Sequence, residues 1–188
     1  MNTRGIDQDQ FLQLASFLYV MQRNSKDKVT FMLPEALRDL GLWAEQLVEE
    51  SLGKEGKGIK IYYGERLSPA ELNDADQSDR VFVRFNLGGV ETNPEFAKFL
   101  GDHGHPVFDV ALNNIDELAG VTLGLQRTVA TLANLMDINF VNQPGVEDYK
   151  RETKAVLAAT PAGEMVRAPA DWKSAGYKGQ VNVYYSTF

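Results

Sequence analysis

The sequence predicts an α/β protein, a three-layer α/β/α sandwich on a five-stranded parallel sheet. Two observations predict it. Five short runs rich in β-branched and aromatic residues, at 29–33, 59–63, 81–85, 107–112 and 181–185, are each bounded by Gly, Pro, Asn or charged residues and read as strands. Between most of them lie segments with helical periodicity, at 8–23, 35–51, 94–100, 116–136 and 144–157. Alternating strands and helices imply right-handed crossovers with helices on both faces of one sheet. Ligands of such sheets bind beyond the C-terminal ends of the strands.

Each element has its own warrant. In 8–23 the apolar positions (Phe11, Leu14, Leu18, Met21) wrap most of the circumference, as expected for a helix buried on more than one side. In 35–51 the apolar stripe runs through Leu37, Leu40, Ala44, Leu47 and Val48, and Gly53 is expected to supply the left-handed turn that ends the helix. Phe96, Phe99 and the Leu/Met stripe of 116–136 are expected core. Asn142 or Gln143 would cap the last helix, and Pro144 fits its first turn, where a missing N–H costs nothing. Residues 68–79, acidic and polar, and 160–178, rich in Pro, Ala and Gly, read as surface loops.

Composition narrows the function. A chain of 188 residues with 44% hydrophobic content supports one substantial core, so a single domain over 1–188 is expected. It has no cysteine, hence no disulfide, thiolate nucleophile or Cys-based metal site, which fits a reducing, cytoplasmic setting. The start lacks the apolar segment of a signal peptide, and no stretch approaches the roughly 20 apolar residues of a membrane span. A net charge of −7 argues against a nucleic-acid partner. Small-molecule chemistry or protein contact remains.

Two runs carry candidate chemistry. Residues 142–150 (NQPGVEDYK) place two amides, a carboxylate and an ammonium around a helix start, with Lys150 about two turns in, an arrangement that suits an anionic ligand. Residues 43–58 (WAEQLVEESLGKEGKG) place Gln46 and Glu50 four apart on one helical face. A carboxylate near a helix C-terminus sits in unfavourable potential, and partial burial there would raise its proton affinity, as a general base requires. On spacing alone, the ordinary reading of both runs is a solvated helix face, with Glu147 and Lys150 an i,i+3 surface pair. The Gly53–Gly58 stretch is no P-loop, since it follows a helix and lacks the Lys-Ser/Thr pair. His103 and His105 offer two metal ligands with no third in view. No G-x-S-x-G elbow is present.

Together the two runs resemble the C-terminal half of glucose-6-phosphate isomerase. Glu50-Ser51-Leu52-Gly53-Lys54 is similar to the family's E-S-x-G-K segment, and Gln143-x-Gly145-Val146-Glu147-x-x-Lys150 to its Q-x-G-V-E-x-x-K motif. Gly104-His105-Pro106-Val107 and Ile138-Asn139 further resemble the isomerase half of bifunctional transaldolase/isomerase proteins, so that similarity extends from about Asp27 to Thr153. The resemblance implies a sugar isomerase (SIS) domain, flavodoxin-like with a five-stranded parallel sheet, belonging to a longer two-SIS-domain enzyme. It implies that Glu50 is the base that moves a proton between C1 and C2 of the open-chain sugar through a cis-enediolate. Gln46 and Gln143 are implied to contact the phosphosugar, and Lys150 to work at the ring-opening end. No cofactor and no metal are implied. The expected partners are a sugar phosphate and a second SIS domain, in cis or from another subunit, with a homo-oligomer as one arrangement.

Departures accompany the likeness. The family's Ser/Thr-rich phosphate loop, its Gly-Gly-Arg segment and the H-S-x-G-Q run holding the ring-opening histidine have no counterpart in these residues, and that last run is expected just past Phe188. The chain by itself is therefore expected to be inactive. The alternative expectation is a non-catalytic SIS domain that binds a sugar phosphate or serves regulation. Such modules depend most on the phosphate loop, so the pattern here favours the enzyme.

Overall fold

The structure, a computed structural model, describes residues 9–72, 78–142, 144–159, 173–176 and 182–185. Helix α1 (Gln10–Arg23) starts where Asp9 accepts hydrogen bonds from the Phe11 and Leu12 N–H groups. Strand β1 (Lys28–Met32), a 3-10 turn (Glu35–Leu37) and α2 (Leu40–Leu52) follow, then β2 (Lys60–Tyr63) and a four-residue helix α3 (Pro69–Leu72). Next come β3 (Arg80–Leu87), α4 (Pro94–Asp102), β4 (Val107–Leu112), a second 3-10 turn (Ile115–Glu117) and α5 (Leu118–Met136). Helix α6 (Pro144–Ala159) and strands β5 (Lys173–Gly176) and β6 (Asn182–Tyr185) complete the order. By its internal contacts the chain divides into two units, Met1–Asn142 and Gln143–Phe188.

In the first unit the four strands pair in parallel in the order β2-β1-β3-β4. Alternation along each strand sorts its residues onto two faces. Val29, Phe31, Val81, Val83, Phe85 and Val110 lie in one core with α1, α2 and α5; Met32 and Phe82 lie in a smaller one with Leu72 of α3 and Leu100 of α4. Helices thus cover both faces, in three layers. The smaller face also carries charge: Arg84 is buried, forks onto Asp109 of the adjacent strand at 2.6 and 3.0 Å, and donates to Glu91 at 3.0 Å.

Several expectations need correction. The parallel sheet has four strands among the described residues, not five. The predicted fifth strand is present as β6, but it pairs antiparallel with β5 in a separate two-stranded sheet of the second unit. The two runs lie close in sequence, and a local hairpin closes a shorter loop than a return to a distant sheet edge. At the outer edge of β4, the Gln10 amide takes both the N–H and the C=O of Ala111, at 3.0 and 3.2 Å. Residues 68–79 and 160–178 are not wholly loop, since they hold α3, whose Leu72 is buried, and β5. Helix α1 buries a single stripe, Phe11, Leu14, Ala15 and Leu18, while Val20 is exposed; its remaining apolar side chains flank that stripe. Gly53 is not left-handed (φ −71°); the positive φ falls at Glu55 and Gly56.

Candidate functional site

Helix α2 leaves the C-terminal end of β1 and returns to the start of β2, where its Glu49 carboxylate accepts the Ile61 N–H at 3.1 Å. The end of α2 therefore lies beside the N-terminal ends of the strands, opposite the end where ligands of such sheets were expected. Gln46 and Glu50 share the exposed face of this helix, as their spacing predicts, and the Gln46 amide donates to Glu50 Oε1 at 3.2 Å. Glu50 is exposed, so the partial burial expected for it is not supplied by this unit. Leu42, one turn before Gln46 on the same face, is also exposed.

The chain turns sharply after α2. Gly53 donates to the Glu49 carbonyl at 2.9 Å, and a side chain at Gly53 would bring its Cβ to 2.5 Å from that oxygen. Lys54 and Lys57 project from this turn onto the segment that leaves α5. Lys54 Nζ donates to the Asn139 carbonyl at 3.0 Å and also to the Asn142 carbonyl; Lys57 Nζ donates to the Asp137 carbonyl at 3.2 Å. Asp137 caps α5, and a cation such as Lys57 is favoured at a helix C-terminus. The segment is further shaped by the Asn139 side chain, which accepts from the Val141 and Asn142 N–H groups. Lys54 thus holds the last residue of the first unit, and Gln143 follows it in the sequence.

Gln143 itself lies outside the described residues. Lys150, in the second unit, is exposed on α6 and pairs with Glu147 at 2.8 Å. Pro144 opens α6, as predicted. His103 Nδ1–H donates to the Phe99 carbonyl, 2.9 Å away, at the end of α4. Burial, foremost, holds the His105 imidazole below its usual range, with Lys26 and His103 adding to the effect. No three His, Asp or Glu side chains cluster as a metal site among the described residues.

A second feature, which no sequence motif announces, lies at the C-terminal ends of β1 and β3 where the strand order reverses. There Met32, Glu65, Arg66, Asn93, Glu95 and Phe96 line a cleft of about 580 Å³. Behind it Arg80, buried, donates to Glu65 at 2.7 Å and to Thr30, and lies over the Tyr62 ring at 4.7 Å. Its only signal in the sequence is an arginine beginning an apolar strand, which is silent about its partners.

No family model matches this chain, and no curated protein matches it. Among solved structures it is similar to the crystal structure of hypothetical protein TT0462 from Thermus thermophilus, with a TM-score of 0.65 and 19% sequence identity. The likeness covers 83% of this chain and 47% of that one, so this chain spans about half the length of the protein it matches. At that identity the likeness is one of fold: α/β, with a parallel sheet between helices. No helix among the described residues is long and apolar enough to cross a membrane.

Proposed function

We propose that this chain supplies the proton-transfer base of an aldose–ketose isomerase acting on glucose 6-phosphate and fructose 6-phosphate. The observation that carries the reading is the grip of Lys54 on the Asn139 and Asn142 carbonyls, which joins the E-S-x-G-K run to the residue before the Q-x-G-V-E-x-x-K run. Lys54, the last residue of the first run, thereby holds the segment that leads in sequence to the second. The Gln46 to Glu50 hydrogen bond orients the carboxylate on an open face.

In this reading Glu50 removes the proton from C2 of the open-chain aldose and returns it at C1, through a cis-enediolate. Negative charge develops on the enediolate oxygens, and the Lys150 ammonium answers it; Gln46 and Gln143 hold the sugar's hydroxyls. The exchange conserves electrons within the sugar and needs no redox cofactor. Glu50 is open to water, so a second domain, in cis or from a partner subunit, would complete the site. Leu42, Phe140 and Val141 are the exposed apolar side chains it would cover.

The test is Glu50→Gln in the protein together with the domain that completes its site. Interconversion of the two hexose phosphates should fall by about 10² to 10⁴ with KM little changed; turnover within tenfold of the parent would remove Glu50 from the role. A second reading, a domain that binds a sugar phosphate without catalysis, is favoured by the cleft at the strand-order reversal. A full-length protein that binds a hexose phosphate and turns none over would favour that reading instead.

A further inference from the structure

We infer that the Gly53–Gly58 turn is a clamp, and that Lys54 is a positioning residue which holds the segment from Asp137 to Asn142 at the end of the first unit. This rests on the proposed isomerase reading for its catalytic consequence, though not for its geometry. The turn has a build that ordinary residues would not tolerate. A Cβ at Gly53 would lie 2.5 Å from the Glu49 carbonyl oxygen, and one at Gly58 would lie 2.9 Å from the Gly53 Cα. Glu55 and Gly56 take positive φ (57° and 68°) to reverse the chain between them. The turn is anchored on its far side by the Gln22 amide, which donates to the Lys57 carbonyl at 3.3 Å.

What this tight reversal presents is a pair of ammonium groups. They meet the carbonyls of Asp137, Asn139 and Asn142, a stretch that begins with the left-handed residue that ends α5, Asp137 (φ 54°). Ile138, buried and bonded to the Ala133 carbonyl at 2.8 Å, fixes one end of the segment in the core. Beyond it Phe140 and Val141 are exposed and contribute little core packing, so hydrogen bonds must hold the path to Asn142. Lys54 spans it, reaching carbonyls three residues apart. An ammonium suits this task because its three donors can serve two carbonyls at once, with charge-assisted bonds stronger than neutral ones. The residue after the clamped segment is Gln143, the first of the second motif. Lys54 touches no reacting atom; it acts by holding the backbone from Asn139 to Asn142.

The test compares Lys54→Met, which keeps the aliphatic stem and removes the donors, with Lys54→Arg, which restores donors. Both are made in the protein together with the domain that completes its site, beside Glu50→Gln. Amide hydrogen exchange at Val141 and Asn142 should quicken about tenfold in Lys54→Met and return toward the parent in Lys54→Arg, with exchange in α2 and α5 unchanged. Under the isomerase reading, kcat in Lys54→Met should fall roughly tenfold to a hundredfold with KM for fructose 6-phosphate little changed, and Lys54→Arg should recover most of it. Unchanged exchange at the two amides overturns the clamp whatever the protein catalyses. Quickened exchange with undiminished kcat overturns the positioning role while leaving Glu50 in place. Turnover that survives Glu50→Gln overturns the isomerase reading, and the exchange rates alone then decide whether the clamp exists.

Discussion

Arg84 and Asp109 show how much a single buried charge depends on register. Arg84 lies directly opposite Asp109 across the β3–β4 pair, so the guanidinium fork meets both carboxylate oxygens without reaching. Hydrogen bonding from Arg84, foremost, holds the Asp109 carboxyl below its usual range, against the opposing effect of burial. A carboxyl depressed in the folded state contributes stability above its unfolded pKa and loses it as pH falls through the folded value. Asp109→Asn should therefore lower stability at pH 7 by about 1–2 kcal/mol, discounted because the Asp109 side chain is 49% exposed, and flatten the decline on acidification. Denaturant unfolding at pH 7 and below pH 4 checks both parts. Neither partner was legible in the sequence beyond a charged residue inside an apolar strand. Gln46 and Glu50 were legible, because four residues on a helix fix a shared face. The burial expected at Glu50 was not, since that depends on what lies outside the helix.

At the level of elements, periodicity was a good guide wherever one face meets a core. The stripe of α5 buries Val121, Leu125, Val129, Leu132 and Met136, as a 3.6-residue repeat requires, and four of five predicted strands sit in the sheet within a few residues of their expected bounds. What periodicity could not show is how closely two helices approach. A Cβ at Gly124 of α5 would meet the Phe11 ring of α1 at 2.3 Å, so these helices pack through a glycine. Gly124→Ala should displace Phe11 and destabilise the protein by about 1–3 kcal/mol, lowering the denaturant midpoint at unchanged slope. The misses are short elements. Helix α3 has only four residues, too few for a period, and β5 (Lys173–Gly176, sequence KSAG) lacks the β-branched residues by which strands are read.

For the molecule as a whole, alternation of strands and helices predicted the layers, but not the strand order or the partner of each strand. The 181–185 run was recognisable as a strand; its antiparallel pairing with β5 was not, because a strand's sequence does not name its neighbour. The same gap hid the cleft at the C-terminal ends of β1 and β3, which exists only once the order β2-β1-β3-β4 is known. The exposed end of α2 leads to one prediction: this chain alone should form no glucose 6-phosphate from fructose 6-phosphate, and should do so once joined by the second domain that its proposed site requires. Activity of the isolated chain in a coupled assay would mean that it holds a complete site.

The central claim is that Glu50 moves a proton between neighbouring carbons of a phosphosugar, and the most direct measurement is solvent isotope uptake. Glucose 6-phosphate is incubated in deuterium oxide with the full-length protein or its Glu50→Gln variant, and deuterium at C2 is followed by NMR. Uptake is expected with the parent, and a loss of about 10² to 10⁴ in its rate with the variant, while the variant still binds the sugar. Uptake at an undiminished rate in Glu50→Gln, or neither uptake nor interconversion of the two sugars with the parent while it binds the sugar, would contradict the claim.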